Sequence, residues 1–196
     1  MSDPLAARRT PGRRAGLGRE QVLGAARELL TERGSAGLTM RALAARLGVA
    51  PNALYSHVAD KTELVDLVLD DVLGGVPLPA EGAAEADPVG VVRAVMLASY
   101  DVLVTHADLM PHFLARQGAR GERAVRLGEV TLDALDRAGV TGQQGRDALR
   151  VLIVNTIGFA AFAAEGGVLP AAEVRANHER ALDWLLAGIT AGPAAG

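Results

Sequence analysis

Apolar residues recur at helical spacing along most of the chain, and no segment alternates apolar and polar residues with the period of a strand. This spacing, interrupted by Gly, Pro and capping signals, predicts eight helices. They span residues 19–33, 39–47, 51–58, 60–73, 87–105, 121–138, 141–165 and 171–189, with a short kinked segment between 106 and 113. The chain is therefore predicted to be all-α.

Two short helices around a tight turn are predicted from the segment LTMRALAARLGVAPNALYSHVADK. Thr39 is placed to cap the first helix, Gly48 to end it in a left-handed conformation, and Pro51 to begin the second. Leu54 and Val58, four residues apart, are predicted to turn inward. The second helix then exposes Asn52, Ala53, Tyr55, Ser56 and His57. Such polar side chains can bond to phosphates and to base edges, so this face is predicted to enter a DNA groove.

The same segment resembles the DNA-binding domain of the tetracycline-repressor (TetR) family, from Arg19 to Leu73. The stretches GLTMRALAARLGV, ALYSHV and DK carry the resemblance. Three positions depart from the family pattern. Ala50 stands where a Ser or Thr commonly caps the recognition helix, Met40 replaces a frequent hydroxyl residue, and Ser56 replaces a bulky aromatic residue. These departures are compatible with the predicted fold, but they prevent a prediction of the operator sequence.

The resemblance also implies roles for individual residues. It places Arg41 near a base edge or a phosphate, and Lys61 on the DNA backbone at the start of the next helix. It places Asn52 and Ala53 against bases, and it places Tyr55 and His57 against phosphates. The complete set of predicted DNA-contacting residues is Thr39, Arg41, Asn52, Ala53, Tyr55, Ser56, His57 and Lys61. The alternative is an ordinary helical bundle in which these are surface residues.

Charge is distributed unevenly along the 196 residues. Residues 1–61 hold ten Arg or Lys and five Asp or Glu, a balance of +5, whereas the remaining ten basic and eighteen acidic residues give −8. A basic first third suits phosphate recognition. The first residues include Arg8, Arg9, Arg13 and Arg14. These arginines could form a flexible arm that reaches the minor groove, or they could belong to a solvated tail.

Composition and length suggest one small and one larger helical domain. We predict a tail over residues 1–18, a helix-turn-helix DNA-binding domain over 19–62, and a C-terminal helical effector-binding and dimerisation domain over 63–192, joined by the connector helix that starts at residue 60. The absence of cysteine excludes disulfides and thiolate metal sites. No uncharged apolar run of 18 residues and no signal peptide is evident, so a cytoplasmic protein is predicted.

The helix predicted over residues 141–165 has three apolar faces and therefore needs three neighbours. One face carries small residues that allow close approach of a partner subunit. Together with the last helix it predicts a homodimer, as the resemblance also implies. The predicted interface is Val151, Val154, Gly158, Ala161, Leu182, Leu185 and Leu186. Burial inside one monomeric bundle is the alternative.

Polar groups stranded among Met and Phe suggest a cavity for a small, mostly apolar ligand. The candidate residues are Met96, Tyr100, Met110, His112, Phe113, Arg116, Thr131, Asn155, Phe159 and Phe162. His106, Asp108 and His112 do not form a metal-ligand pattern, so no metal and no cofactor are predicted.

These features predict a sequence-specific transcriptional regulator, a repressor that a small ligand releases from a palindromic operator. A regulator or architectural DNA-binding protein without an effector is the alternative. No catalytic triad context, phosphate-binding loop or H-E-x-x-H motif supports an enzyme.

Overall fold

The structure of the protein is a computed structural model that describes residues 18–192. The four arginines of the predicted arm lie outside these residues. Within them the chain forms α-helices and two short 3-10 helices but no strand, which confirms the all-α prediction. The α-helices are α1 Arg19–Gly37, α2 Met40–Leu47, α3 Lys61–Leu73, α4 Ala83–Ala86, α5 Pro88–Thr105, α6 Met110–Arg116, α7 Glu122–Arg137, α8 Gly142–Glu165 and α9 Ala171–Thr190; the 3-10 helices are Pro51–Ser56 and Ala107–Leu109.

The predicted helix boundaries around the turn are confirmed by their capping contacts. Thr39 Oγ1 accepts a hydrogen bond from the backbone N–H of Ala42 at 3.0 Å, so it satisfies one of the free donors at the start of α2. Gly48 ends α2 in the left-handed conformation, with φ 66°. Asp60 caps α3 by accepting from the N–H of Glu63 at 2.9 Å. Local side-chain chemistry thus sets where α2 and α3 begin.

Helix α3 belongs to both halves of the fold. It packs against α1 on one side and against α5, α6 and α7 on the other. Its buried side chains are Leu64, Val65, Val68, Leu69 and Val72. They join a core that runs from α1 to Phe113 in α6. This core is continuous across residue 62. The domain boundary that the sequence suggested there therefore remains a prediction.

A buried carboxylate fixes the C-terminal end of α3 to the start of α7. Asp70 accepts hydrogen bonds from the backbone N–H groups of Arg123 at 3.2 Å and Ala124 at 2.9 Å. It caps α7 from another helix, because Gly121 before α7 has no side chain to do so. A Cβ atom at Gly121 would lie 2.1 Å from Asp70 Cγ, so only glycine allows this approach. The contact therefore joins the end of α3 directly to the start of α7.

The C-terminal bundle is built around α5 and α8. Helix α5 packs against α7, α8 and α9, and α8 also contacts α6 and α9. By length and composition alone α5 and α8 could each cross a bilayer, but the core helix of a folded bundle has the same features. Packing against other helices accounts for part of this apolar character, whereas α8 also exposes apolar side chains.

His178 is the polar centre of the packing between α5, α8 and α9. It is completely buried, its ring stacks on Tyr100 with 4.8 Å between centroids, and it lies 5.3 Å from the ring of Phe159. Nδ1 lies 3.1 Å from Asn155 Oδ1, whereas Nε2 makes no hydrogen bond to any residue that the structure describes. Burial lowers the pKa of His178 to about 4, and the nearby backbone carbonyl of Met96 opposes this only in part. The bundle therefore holds this histidine neutral.

A neutral buried histidine makes the stability of the fold sensitive to acid. The folded-state pKa of about 4 lies below the ordinary value of 6.5. The unfolded chain therefore takes up the proton first as the pH falls, so this contribution to stability is complete at pH 7 and is lost between pH 6.5 and 4. The loss approaches about 3 kcal/mol.

Urea unfolding of wild type and His178→Gln between pH 7 and pH 4 checks this prediction. Glutamine stays neutral, so the variant should lose less free energy of unfolding on acidification, by about 2 to 3 kcal/mol. The control Asn177→Gln changes the neighbouring residue of α9 and should keep the wild-type acid loss. Equal acid losses in wild type and His178→Gln would contradict a depressed pKa.

Candidate functional site

The segment from Pro51 to His57, called the recognition segment below, is held by two buried anchors. Leu54 and Val58 are 0% and 3% exposed, as their spacing predicted. The segment is a 3-10 helix rather than an α-helix. Ala50 offers no side-chain cap, and the first turn tightens so that the N–H of Ala53 bonds to the Ala50 carbonyl at 2.9 Å. The anchors fix which face points outward.

The outward face of the recognition segment carries polar groups at close intervals. Asn52, Ala53, Tyr55 and Ser56 are exposed and His57 is half-buried. Tyr55 is 55% exposed, so its ring stands in solvent. Ser56 Oγ donates to the carbonyl of Ala53 at 2.8 Å, so its hydroxyl proton is already used within the segment. The face thus offers an amide, a phenol and an imidazole to a groove.

The remaining predicted DNA-contacting residues flank this face. Arg41 is exposed on α2, and Thr39 is exposed at the start of the same helix. Lys61 is half-buried at the start of α3, where its Nζ donates to the backbone carbonyl of Ser35. An ammonium group has three donors, so this bond leaves others for a phosphate.

Helix α2 is fixed on α1 by Arg46. Its guanidinium bonds Glu28 at 3.1 Å and also Glu32. The hydrogen bond to Glu32 is the main reason why the pKa of Arg46 is raised and that of Glu32 is lowered. Arg46 therefore positions the helix before the recognition segment, and the basic charge near that segment is carried by Arg41 and Lys61.

A cavity of about 140 Å³ lies in the C-terminal bundle, between α5, α7 and α8. The end of α3, the end of α6 and the turn after α6 complete its wall. The lining residues are Leu73, Val95, Met96, Ser99, Leu103, Phe113, Gln117, Gly118, Ala119, Ala124, Leu127, Gly128, Thr131, Leu149, Ile153, Thr156 and Ile157. Of the ten predicted ligand residues, the structure brings together Met96, Phe113 and Thr131 here.

Four predicted ligand residues are engaged elsewhere. Tyr100, Asn155 and Phe159 surround His178 on the α9 side of the bundle. Arg116 forms a two-pronged ion pair with Asp66 of α3, Nε to Oδ1 at 2.7 Å and Nη2 to Oδ2 at 2.6 Å, and this hydrogen bonding raises the pKa of Arg116. The polar groups of Tyr100 and Asn155 lie on apolar helix faces because they contact His178, and that of Arg116 does so because it pairs with α3.

The other three predicted ligand residues also lie outside the cavity wall. Met110 packs in the core that α6 shares with α1 and α3. His112 is half-buried, and burial is the main cause that lowers its pKa. Phe162 is 71% exposed on α8 and points away from the bundle. The α8 residues that do line the cavity belong to the face of Leu149 and Ile153.

The helical spacing alone could not identify that face as the cavity wall. Leu149, Ile153 and Ile157 recur every four residues, as do the residues of the competing face with Asn155 and Phe159. Periodicity shows that both faces are buried but not which one borders a cavity. Ser99 and Thr156, which also line the cavity, gave no signal because single hydroxyl residues are common in helices.

An apolar surface on α8 and α9 has no cover within the described part of the chain. Val154 is 66% exposed, Phe162 71% and Trp184 73%, and Val151 is exposed beside them. Gly158 lies in the same helix, and nothing stands within 4 Å of where its Cβ would be. We call these five residues the α8–α9 face. Exposed apolar patches of this kind mark interaction surfaces.

Two of the predicted interface residues need correction. Leu182 and Leu186 are 0% and 2% exposed, because they fill the core between α9 and α5. Leu185 and Ala161 are half-buried. Trp184 lies on the opposite side of α9 from Leu182 and was not among the predicted interface residues. Its position outside the apolar stripe of α9 could have indicated an exposed tryptophan.

Metal-binding groups are not clustered in residues 18–192. No set of three or more His, Asp or Glu side chains is placed there to hold an ion. His106 instead receives a hydrogen bond from Arg27 at 2.8 Å, and Asp108 receives one from Thr31 at 2.6 Å. Both contacts tie the turn before α6 to α1.

The N-terminal third of the chain is similar to known regulators. Residues 22–68 match the bacterial regulatory proteins described as the tetR family. Over 71 residues the chain is 45% identical to tetracycline repressor protein class D from Escherichia coli. This match covers 35% of this chain and 33% of that repressor. The chain thus spans about a third of the length of the curated relatives it matches.

Solved structures extend the similarity to the bundle. SCO7222, a TetR transcriptional regulator from Streptomyces coelicolor, is 30% identical with a TM-score of 0.70, and the match covers 89% of this chain and 98% of that protein. BioQ, determined with its double-stranded DNA operator, is 27% identical with a TM-score of 0.67 over 89% and 99% of the two chains. The relatives are described as regulators and not as enzymes. The chain belongs to the TetR family of bacterial transcriptional regulators.

Proposed function

We propose that the protein is a sequence-specific DNA-binding regulator whose recognition segment reads a duplex operator in the bacterial cytoplasm. The observation that carries this proposal is the exposed polar face of the segment, fixed by the buried anchors Leu54 and Val58. The family membership and the operator complex of BioQ support the same role. Asn52 is suited to bond a base edge, whereas Tyr55 and Lys61 are suited to bond phosphates.

Dimerisation is the second part of the proposal. Covering the α8–α9 face with the same face of a second copy would bury Val154, Phe162 and Trp184, and the unobstructed surface at Gly158 would allow the two α8 helices to approach closely. A two-fold dimer presents two recognition segments, so the operator should be an imperfect palindrome with half-sites about one helical turn or somewhat more apart.

Release by a ligand is the third part. The cavity wall includes Leu73 at the end of α3, and Phe113 of α6 one turn before Arg116. Arg116 and Asp70 bond α3 to α6 and α7 respectively, through the contacts given above. A molecule that spreads α6 and α7 would therefore displace α3 and, with it, the recognition segment. This route favours a ligand-released repressor over an effector-free regulator, because a cavity borders the connector.

Substitutions on the recognition face should separate affinity from specificity. Tyr55→Phe and Lys61→Gln should weaken binding to any duplex, and Lys61→Gln should reduce the slope of log affinity against log salt by about 0.9. Asn52→Ala should instead lower discrimination between an operator selected from a random duplex library and unrelated DNA, by roughly 1 to 3 kcal/mol. Fluorescence anisotropy at two salt concentrations measures both quantities.

The control for these DNA measurements is Gln144→Ala, an exposed change in α8. It should bind as wild type does. If Tyr55→Phe, Lys61→Gln and Asn52→Ala also bind as wild type does, the recognition segment does not contact DNA.

Two valine substitutions test the dimer. Val154→Arg places a charge in the α8–α9 face and should yield a monomer at micromolar concentration, with weak operator binding. Val125→Arg makes the same change at a comparably exposed valine, 57% against 66%, on α7. It should remain dimeric. Sedimentation velocity reports the outcome, and a monomeric wild type or a dimeric Val154→Arg would exclude this face.

Filling the cavity with a side chain should imitate a ligand. The nearest atom to a Cβ at Gly128 is Leu149 Cδ2 at 3.8 Å, so Gly128→Leu extends into the cavity without a clash at its base. Leucine is also the better helix former, so the fold should persist. Operator affinity should fall 5- to 150-fold, the usual range of coupling between two sites.

The matched control is Glu129→Leu, which places the same side chain on the exposed side of α7 and should leave operator affinity unchanged. A folded Gly128→Leu variant with wild-type operator affinity would mean that the cavity is not coupled to DNA binding.

A further inference from the structure

The size of the cavity limits what can occupy it. An engineered apolar cavity of roughly 150 Å³ in another protein binds benzene, so a volume of about 140 Å³ suits a single six-membered ring with small substituents. Phe113 and the sulfur of Met96 in the wall offer favourable contacts to an aromatic ring. Compounds with several fused rings would extend through the opening at Gln117 or need the surrounding helices to separate.

Charge restricts the ligand further. None of the cavity's lining residues within residues 18–192 is ionisable as a carboxylate, ammonium or guanidinium. A carboxylate or ammonium on the ligand would lose its hydration without a compensating charge. The occupant is therefore expected to be neutral.

The hydroxyl groups of the wall have already used their protons. Ser99 Oγ donates to the Val95 carbonyl at 2.7 Å, and Thr131 Oγ1 donates to the Leu127 carbonyl at 2.7 Å. A carbonyl oxygen only accepts, so in each pair the proton belongs to the hydroxyl and points into its own helix. The lone pairs of Ser99 and Thr131 remain for a guest.

Two further donors in the wall have acceptors of their own. Thr156 Oγ1 lies 3.6 Å from Met96 Sδ, to which it donates weakly, and the backbone N–H of Gly118 bonds the Phe113 carbonyl at 2.9 Å. Gln117 carries an amide donor, but it is exposed at the cavity's opening. Ser99 and Thr131 therefore present acceptors to the interior, and the Thr156 hydroxyl is held only weakly as a donor.

We propose that the effector is a neutral, single-ring phenol, or a compound with the same ring size and hydroxyl donor, whose hydroxyl donates to Thr131 or Ser99. This inference rests on the proposed effector regulation and specifies its ligand class. A phenol can donate to the acceptors of this apolar wall, whereas its methyl ether cannot donate and a carboxylate carries an uncompensated charge.

Three small probes of one ring size test the proposal by titration calorimetry at pH 7 without DNA. The probes are 4-methylphenol, 4-methoxytoluene and 4-methylbenzoate. 4-Methylphenol should bind 3- to 10-fold more tightly than the ether, the gain expected for one net hydrogen bond, and 4-methylbenzoate should not bind. Equal or tighter binding of the ether, binding of the benzoate, or no binding of 4-methylphenol would overturn the proposal.

Variants locate the acceptor. Thr131→Val removes the hydroxyl while keeping the side-chain shape, so it should reduce the preference for 4-methylphenol over the ether; Ser99→Ala is the second variant should Thr131→Val not fold. Thr190→Val is the matched control, because Thr190 also donates to the backbone of its own helix, at 2.8 Å, but lies on α9 away from the cavity. An unchanged preference in Thr131→Val and Ser99→Ala alike would overturn the assigned acceptors.

Operator binding by ligand-free protein is measured separately. Failure of the three-probe titration with intact operator binding would reject the ligand class and leave the DNA-binding function standing. Selective 4-methylphenol binding by a protein that binds no operator would reject the proposed function instead.

Discussion

Helix α3 is buried on two sides, and both halves of the fold are built against it. Its apolar residues complete the core beneath the recognition segment, and the same helix packs on α5, α6 and α7. Two carboxylates extend the attachment, since Asp66 pairs with Arg116 and Asp70 caps α7. Neither half can shift without changing contacts that stabilise the other. A helix attached in this way can transmit a displacement of the bundle to the DNA-contacting surface.

The shortness of the recognition segment makes it dependent on that attachment. It has six residues in 3-10 conformation, no side-chain cap at Ala50, and two fully buried anchors, Leu54 and Val58. It packs on α2, and its anchors lie in the core that α1, α2 and α3 share, so its position follows that core. A small displacement of α3 would therefore alter the separation of two recognition segments in the proposed dimer, and an operator with fixed half-site spacing would bind one separation better.

Local features could be predicted from the sequence, and features that depend on helix contacts could not. Thr39, Gly48 and Asp60 act within a few residues, so their caps were predicted correctly. The choice between two apolar faces of α8 depends on which helices surround it, and the predicted ligand residues of α8 consequently lie on a face that does not border the cavity. His178 was missed although it lies between Val174 and Leu182 at intervals of four residues, the spacing of buried positions on α9.

The most direct test of the central claim is the distance between the two recognition segments. Because the chain has no cysteine, Asn52→Cys introduces a single site for a spin label in each protomer. Pulsed electron resonance would compare this variant with and without Gly128→Leu. Coupling through α3 predicts that the peak of the distance distribution shifts by several ångströms when the cavity is filled. An unchanged distribution in a dimer that remains folded would mean that the cavity and the recognition segments are not coupled through α3.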